Sequence, residues 1–406
     1  MKRSEIPVFG PLQGVKVVSV VNNVAGPVLA GFYGEMGAQV TYVENSNAPD
    51  TLRLLPPGFY WSLEHRNQLN INLDFSVAEG LEVFKKLLET NDIFVENGKV
   101  GNFEKFGLSD EEMHKINPRL IIVHISGFGQ TGDSDYIKRG AIDAIGQAFS
   151  GYMNMNGMPG DDMPPLAAKY NTCDYTTGLM ATISSLAALY RREKTGEGEV
   201  IDLAMYEAML RIGGMPLSLG LNIGREAVRP GNVPMESPGL GTYKCKDGKW
   251  VYWVAAYGPI LRRTLKLLGL DNDPDIPATY RLDRSNPVVN EKIANAHIKF
   301  CEERDALQVE KEVNAVGGLC SAVMTYADMQ NHPHYQKRGT FMEWVDPWKN
   351  QTVKGLTPPA RFKNNPSQIW RGGPTVGMDN DDILLELGYT EQQIAEMYEK
   401  KAIKKV

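Results

Sequence analysis

Short β-branched runs alternate with amphipathic stretches through the first half of the chain. Val15 to Val21 predicts a buried strand, and Val28 to Met36, opened by Gly26-Pro27 and closed by Gly37, predicts a helix. Gln39 to Glu44 predicts a second strand, Val77 to Glu89 an amphipathic helix, Asp92 to Val95 a third strand, Asp110 to Ile116 a helix and Leu120 to Ile125 a fourth strand. Parallel neighbours need long connections, so this alternation implies a mostly parallel sheet with crossover helices. An apolar run headed by Asp174 reads as a long buried helix, and Val200 to Met205 resumes the rhythm as a strand or strand-to-helix passage.

The pattern then changes. Gly151 to Pro165 is too rich in Gly, Met and Pro to be regular structure throughout and reads as a loop before the Asp174 helix. Between Arg225 and Gly241, Pro230, Pro234 and Pro238 with nearby glycines mark a linker or flap. A hairpin is expected around Asp247-Gly248, with helices near 260–268 and 290–303 and a closing helix at Glu391 to Lys400. The expected organisation is a large Rossmann-like α/β domain over residues 1–225, a smaller α+β domain over 226–335, and a segment, 336–406, returning to the large domain.

Composition narrows the classes. With 43 Lys and Arg against 49 Asp and Glu, both signs scattered, the net charge of -6 offers no basic field for nucleic acid. Cys173, Cys245, Cys301 and Cys320 show neither a disulfide framework nor zinc-ligand spacing. Residues 1–7 lack a signal-peptide core and no apolar run reaches membrane-spanning length, so a cytoplasmic protein without a membrane partner is expected. Asn22-Asn23-Val24-Ala25-Gly26-Pro27 replaces the GxGxxG of a dinucleotide site, and P-loop, GxSxG and HExxH motifs are absent.

By pattern alone, Asp174 is either a helix cap or a carboxylate kept ionised by the helix dipole, the state a nucleophile needs. A wider set of blocks decides between them. Phe9 to Leu12, Asp92 to Glu96, Ser126 to Gln130, Ala148 to Tyr152, Ile201 to Glu207 and Phe362 to Gly372 together resemble the class III (formyl-CoA transferase type) coenzyme A transferases, in their carnitine branch, from end to end. The resemblance implies an interlocked homodimer in which Asp174 is the nucleophile, forming an acyl anhydride and then a CoA thioester. It implies no metal and no tightly bound cofactor; CoA and acyl-CoA enter as substrates, beside a carboxylic acid.

The same resemblance places Lys99 at the CoA phosphates, with Lys105 beside a family basic position that Phe106 occupies here. It places Asn97, Val21 and Asn22 near pantetheine and adenine, and Arg66 in a segment where relatives carry basic residues. Gly239 and Gly241 are the candidates for oxyanion donors on a flap. Tyr152, Tyr170 and Tyr175 are candidates to face a trimethylammonium head through cation-π attraction, though core packing is the more frequent explanation for any one of them. His124, inside a predicted strand, reads as a satisfied buried residue. The expected reaction exchanges CoA between a trimethylammonium carboxylic acid (carnitine, crotonobetaine or γ-butyrobetaine) and an acyl-CoA. Alternatives are another short-chain or hydroxy acid as acceptor, or a non-catalytic CoA-binding accessory protein. A racemase would need a histidine beside the central loop, and residues 151–168 contain none.

Overall fold

The computed structural model describes residues 2–45, 48–160, 162–232, 240–255, 258–277, 280 and 286–405. Its contacts divide the chain into two units: residues 1–152, 167–221 and 336–406 form the larger, and residues 153–166 and 222–335 the smaller. The loop segment 153–166 thus groups with the smaller unit, whereas the sequence pattern had it inside 1–225.

In chain order the larger unit begins β1 (Lys16–Val20), α1 (Ala25–Glu35), β2 (Gln39–Glu44), α2 (Phe59–Glu64), β3 (Gln68–Asn72), α3 (Ala78–Thr90), β4 (Ile93–Glu96), α4 (Asp110–Ile116) and β5 (Ile121–Ser126). It continues through three short helices, α5 (Ser134–Ile137), α6 (Asp143–Phe149) and α7 (Tyr152–Met155), the last ending in the smaller unit, and then α8 (Thr172–Thr195) and β6 (Glu199–Ala204). The six strands form one parallel sheet in the order β3-β2-β1-β4-β5-β6. Order reverses between β1 and β4, and open α/β sheets bind ligands in the crevice beyond the strand ends at such a point.

Both faces of the sheet are covered, which explains the unbroken β-branched runs. Val17, Ile93, Val95, Ile121 and Val123 pack into one layer with residues of α1 and α8. Val18, Phe94 and Ile122 turn the other way, into a layer with α3, α4 and the C-terminal helices Asn380–Glu386 and Glu391–Glu399. α1 and α8 approach closely at Gly178, where a Cβ would lie 2.6 Å from Val28 Cγ1 and 2.7 Å from the Ala25 carbonyl oxygen.

The sequence reading assigns no strand at β3, where Gln68, Asn70 and Asn72, residue types uncommon inside a sheet, alternate with Leu69 and Ile71. All three are buried. The strand's edge is taken up by the returning C-terminal segment: the Asn70 backbone N–H donates to the Asp379 carboxylate (2.8 Å), the Asn72 backbone N–H to Asn380 Oδ1 (2.8 Å), and the Lys404 N–H to the Asn72 side-chain Oδ1 (2.9 Å). The sheet edge is covered by hydrogen bonds rather than left open.

The smaller unit carries an antiparallel sheet of β7 (Leu240–Lys244), β8 (Trp250–Val254) and β9 (Leu319–Ala322), with helices at Gly258–Leu267, Pro287–Glu302 and Ala306–Ala315. Among the described residues no helix is long and apolar enough to cross a membrane, and no group of three or more His, Cys, Asp or Glu is arranged to hold a metal ion.

Candidate active site

A cleft of about 750 Å³ opens where the strand order reverses, formed entirely by the larger unit. Asn22 to Ala25 after β1, Asn97 to Val100 after β4 and Ile125 to Gly127 at the end of β5 line it, with Thr51, Tyr60, Arg139, Asp143, Asn171 and Asp174. Asn22 and Asn97 join the two central loops: the Asn22 N–H donates to Asn97 Oδ1 (2.8 Å) and Asn97 Nδ2 to the Asn22 carbonyl (2.6 Å). The first turn of α1 opens on this cleft without a side-chain cap, so its amides carry the positive end of the helix toward whatever lies there.

Asp174 is not the cap of α8. It occupies the third helical position, Asn171 precedes the helix in the left-handed conformation (φ 61°), and the carboxylate of Asp143 does the capping. Asp143 Oδ1 accepts the N–H of Cys173 (2.7 Å) and of Asp174 (3.3 Å). The Asp174 carboxyl is therefore free of that duty, and it lies 8% exposed at the cleft wall. Its ionisation differs from the sequence expectation. Burial first, and the Asp143 charge second, raise it from 3.8 to about 7.

Tyr60 is the aromatic side chain of the lining; its hydroxyl accepts from Asn171 Nδ2 (2.9 Å). Neither Tyr60, Asn171, Asp143 nor Arg139 carried a sequence signal, since each lies in an ordinary local context and only the fold converges them. Arg139 supplies a second cation at the cleft beside Lys99 and stacks on Tyr136 (3.9 Å).

Of the residues singled out in the sequence, Asp174, Lys99, Asn97 and Asn22 line this cleft together. Val21 lies beneath it, buried against Gly26, where a Cβ would come within 2.5 Å of Val21 Cγ1. Lys105 is exposed on the same loop as Lys99, tethered to Asn102 Oδ1 (2.9 Å), and is not in the lining. Arg66 is buried away from the cleft, donating to Glu35 (2.8 Å from Nε) and to the Leu356 carbonyl (2.7 Å). Tyr175 donates to Glu64 (2.5 Å), Tyr152 packs against the core and Tyr170 is 87% exposed, so none of the three lines the cleft. Gly241 is in β7 of the smaller unit, and Gly239 lies outside the described residues.

Comparison with known proteins places this geometry. The model of CoA-transferase family III matches residues 12–380. The bile acid CoA-transferase BaiK of Clostridium scindens is 40% identical over 406 residues, covering 98% of this chain and 91% of the relative. The L-carnitine CoA-transferase of Proteus mirabilis is 37% identical over 400 residues, covering 97% of each. Among solved structures, a CAIB/BAIF family protein from Brucella suis superposes with a TM-score of 0.80 at 27% identity, covering 93% of this chain and 100% of that one.

Proposed function

The chain belongs to CoA-transferase family III, and from that premise we propose that it moves coenzyme A from an acyl-CoA to a carboxylic acid in the cleft at the sheet's switch point, with Asp174 as the covalent carrier. The observation that supports this best is the placement of Asp174: a nearly buried carboxylate, relieved of capping by Asp143, on the wall of a cleft with Lys99 and Arg139 also in its lining.

In this reading an Asp174 oxygen attacks the donor thioester carbonyl; the carbon–sulfur bond breaks, leaving a mixed anhydride and CoA thiolate. The thiolate then attacks the Asp174 carbonyl carbon, the anhydride bond breaks, and the donor acid departs from an aspartyl-CoA thioester. The acceptor carboxylate attacks that thioester, expelling thiolate, and the thiolate takes the acceptor's acyl group, restoring the free carboxylate. Lys99 and Arg139 face the CoA phosphates as point charge and planar donor. Burial keeps water from the anhydride.

For the acceptor we infer a trimethylammonium acid of the carnitine, crotonobetaine and γ-butyrobetaine type. The likeness to an L-carnitine CoA-transferase supports it, as does a lining that holds Asp143 and the ring of Tyr60 and so suits a quaternary cation. The 40% identity to a bile acid CoA-transferase supports a second reading, a steroid carboxylate held against Leu52, Leu55, Ile137 and Ile142. A panel of acceptors offered with γ-butyrobetainyl-CoA decides: exchange confined to trimethylammonium acids supports the first, exchange to steroid acids the second. Exchange to no carboxylate at all overturns both.

A further inference from the structure

We propose that Glu96, His124 and Asp110 form a clamp that positions the turn after β4, residues 97–100, so that Asn97 and Lys99 meet coenzyme A in the shape it requires. The proposal rests on the reading that the cleft takes CoA. Neither Glu96 nor His124 lines the cleft; they act through the turn and are positioning residues.

The clamp follows from hydrogen-bond accounting. Glu96 and His124 are partners in register across β4 and β5. His124 Nδ1 lies 2.7 Å from Glu96 Oε1, and Nε2 lies 2.9 Å from Asp110 Oδ1 at the start of α4. Carboxylates only accept, so both contacts are made together when both ring nitrogens donate, that is, by an imidazolium. Burial alone would lower His124, but the hydrogen bonds and charges of Asp110 and Glu96 raise it to about 9. Asp110 is lowered in turn, chiefly by its hydrogen bond from His124.

The remaining oxygen of Glu96 reaches the turn. Glu96 Oε2 accepts the Gly98 N–H at 2.7 Å. The fit is close: a Cβ on Gly98 would lie 3.0 Å from that oxygen and 3.1 Å from Asn102 Nδ2. On one side of Gly98 is Asn97, locked to Asn22 across the switch point; on the other is Lys99, whose carbonyl accepts from Asn102 N–H (3.0 Å). One cationic ring therefore ties two strands and a helix to the turn whose four residues, 97–100, line the cleft. A loop so pinned has less conformational freedom to lose when a ligand binds.

Calorimetric titration with CoA, run beside steady-state kinetics and thermal melts, tests this on wild type, His124→Asn and Asp110→Asn. Loss of a charge-assisted contact should weaken CoA binding, and raise KM for acyl-CoA, by about tenfold in His124→Asn and less in Asp110→Asn, with kcat at saturation within about twofold. Should His124→Asn fail to fold, Asp110→Asn decides, since its carboxylate is 35% exposed and α4 keeps its Ser109 cap. Folded variants that bind CoA like wild type, or that lose kcat at unchanged KM, overturn the clamp alone. Wild type that binds no CoA overturns the reading of the cleft and the clamp with it.

Discussion

Asp143 Oδ1 accepts the backbone N–H of Asp174 at 3.3 Å and of Cys173 at 2.7 Å, so one carboxylate caps the helix from which the other projects. The pairing has two opposed effects. It completes the end of α8 and fixes where Asp174 points, and it sets a negative charge near a carboxyl that burial already makes reluctant to ionise.

Separating those effects takes two substitutions. Asp143→Asn keeps an acceptor for the helix amides but removes the charge, which should move the acidic limb of the kcat/KM profile for acyl-CoA to lower pH. Asp143→Ala removes the cap as well and should cost about 1 kcal/mol of stability in a denaturant melt. An unmoved pH profile in Asp143→Asn would contradict the electrostatic coupling.

The pH dependence of wild type follows from Asp174 itself. In the proposed mechanism the ionised form attacks, so kcat/KM should rise with pH up to about 7 and level off above it. Stability runs the other way. The folded value lies above the ordinary 3.8, so the folded state holds the proton more tightly, and its advantage is complete below 3.8 and lost as pH rises through about 7. Asp174→Asn should abolish exchange yet melt higher than wild type at roughly pH 8, by on the order of 1–3 kcal/mol, with the difference vanishing at roughly pH 4.

Gly178→Ala tests the seat of α8. The added methyl meets Val28 Cγ1 at 2.6 Å and the Ala25 carbonyl oxygen at 2.7 Å, and the carbonyl cannot give way cheaply. Overpacking of this kind should cost about 1–3 kcal/mol in a urea melt. A neutral outcome would mean that α1 and α8 separate freely.

Lys99 is exposed, and the proposed reading gives it a part in the encounter with the anionic ligand rather than in the fold. Lys99→Ala should raise KM for acyl-CoA by about three- to tenfold with melting unchanged, and the effect should shrink as salt rises. A salt-independent loss of kcat would assign Lys99 to the chemistry instead.

The sequence disclosed the elements whose burial makes them unambiguous. β1, β4 and β5 are covered on both faces and read as continuous apolar runs, so the parallel sheet was legible before any coordinates. β3 was not, because its polar residues are buried by partners three hundred positions away. The site divides in the same way. Asp174, Asn97, Asn22 and Lys99 stood out through a family resemblance and lie in one cleft, whereas Tyr60, Arg139 and Asp143 become neighbours of Asp174 only through the fold. Arg66 and Tyr175 show the converse: their residue types suit a phosphate or a cationic head, but buried Glu35 and Glu64 already engage them.

The central claim is that the Asp174 carboxyl becomes covalently modified during turnover. Acid quenching after mixing with acyl-CoA, followed by proteolysis and peptide mass spectrometry, measures it directly. The account predicts a CoA or acyl adduct on the peptide containing Asp174, released by hydroxylamine and absent from Asp174→Ala. An active enzyme whose Asp174 peptide stays unmodified throughout turnover, or an Asp174→Ala variant that still exchanges CoA, would contradict it.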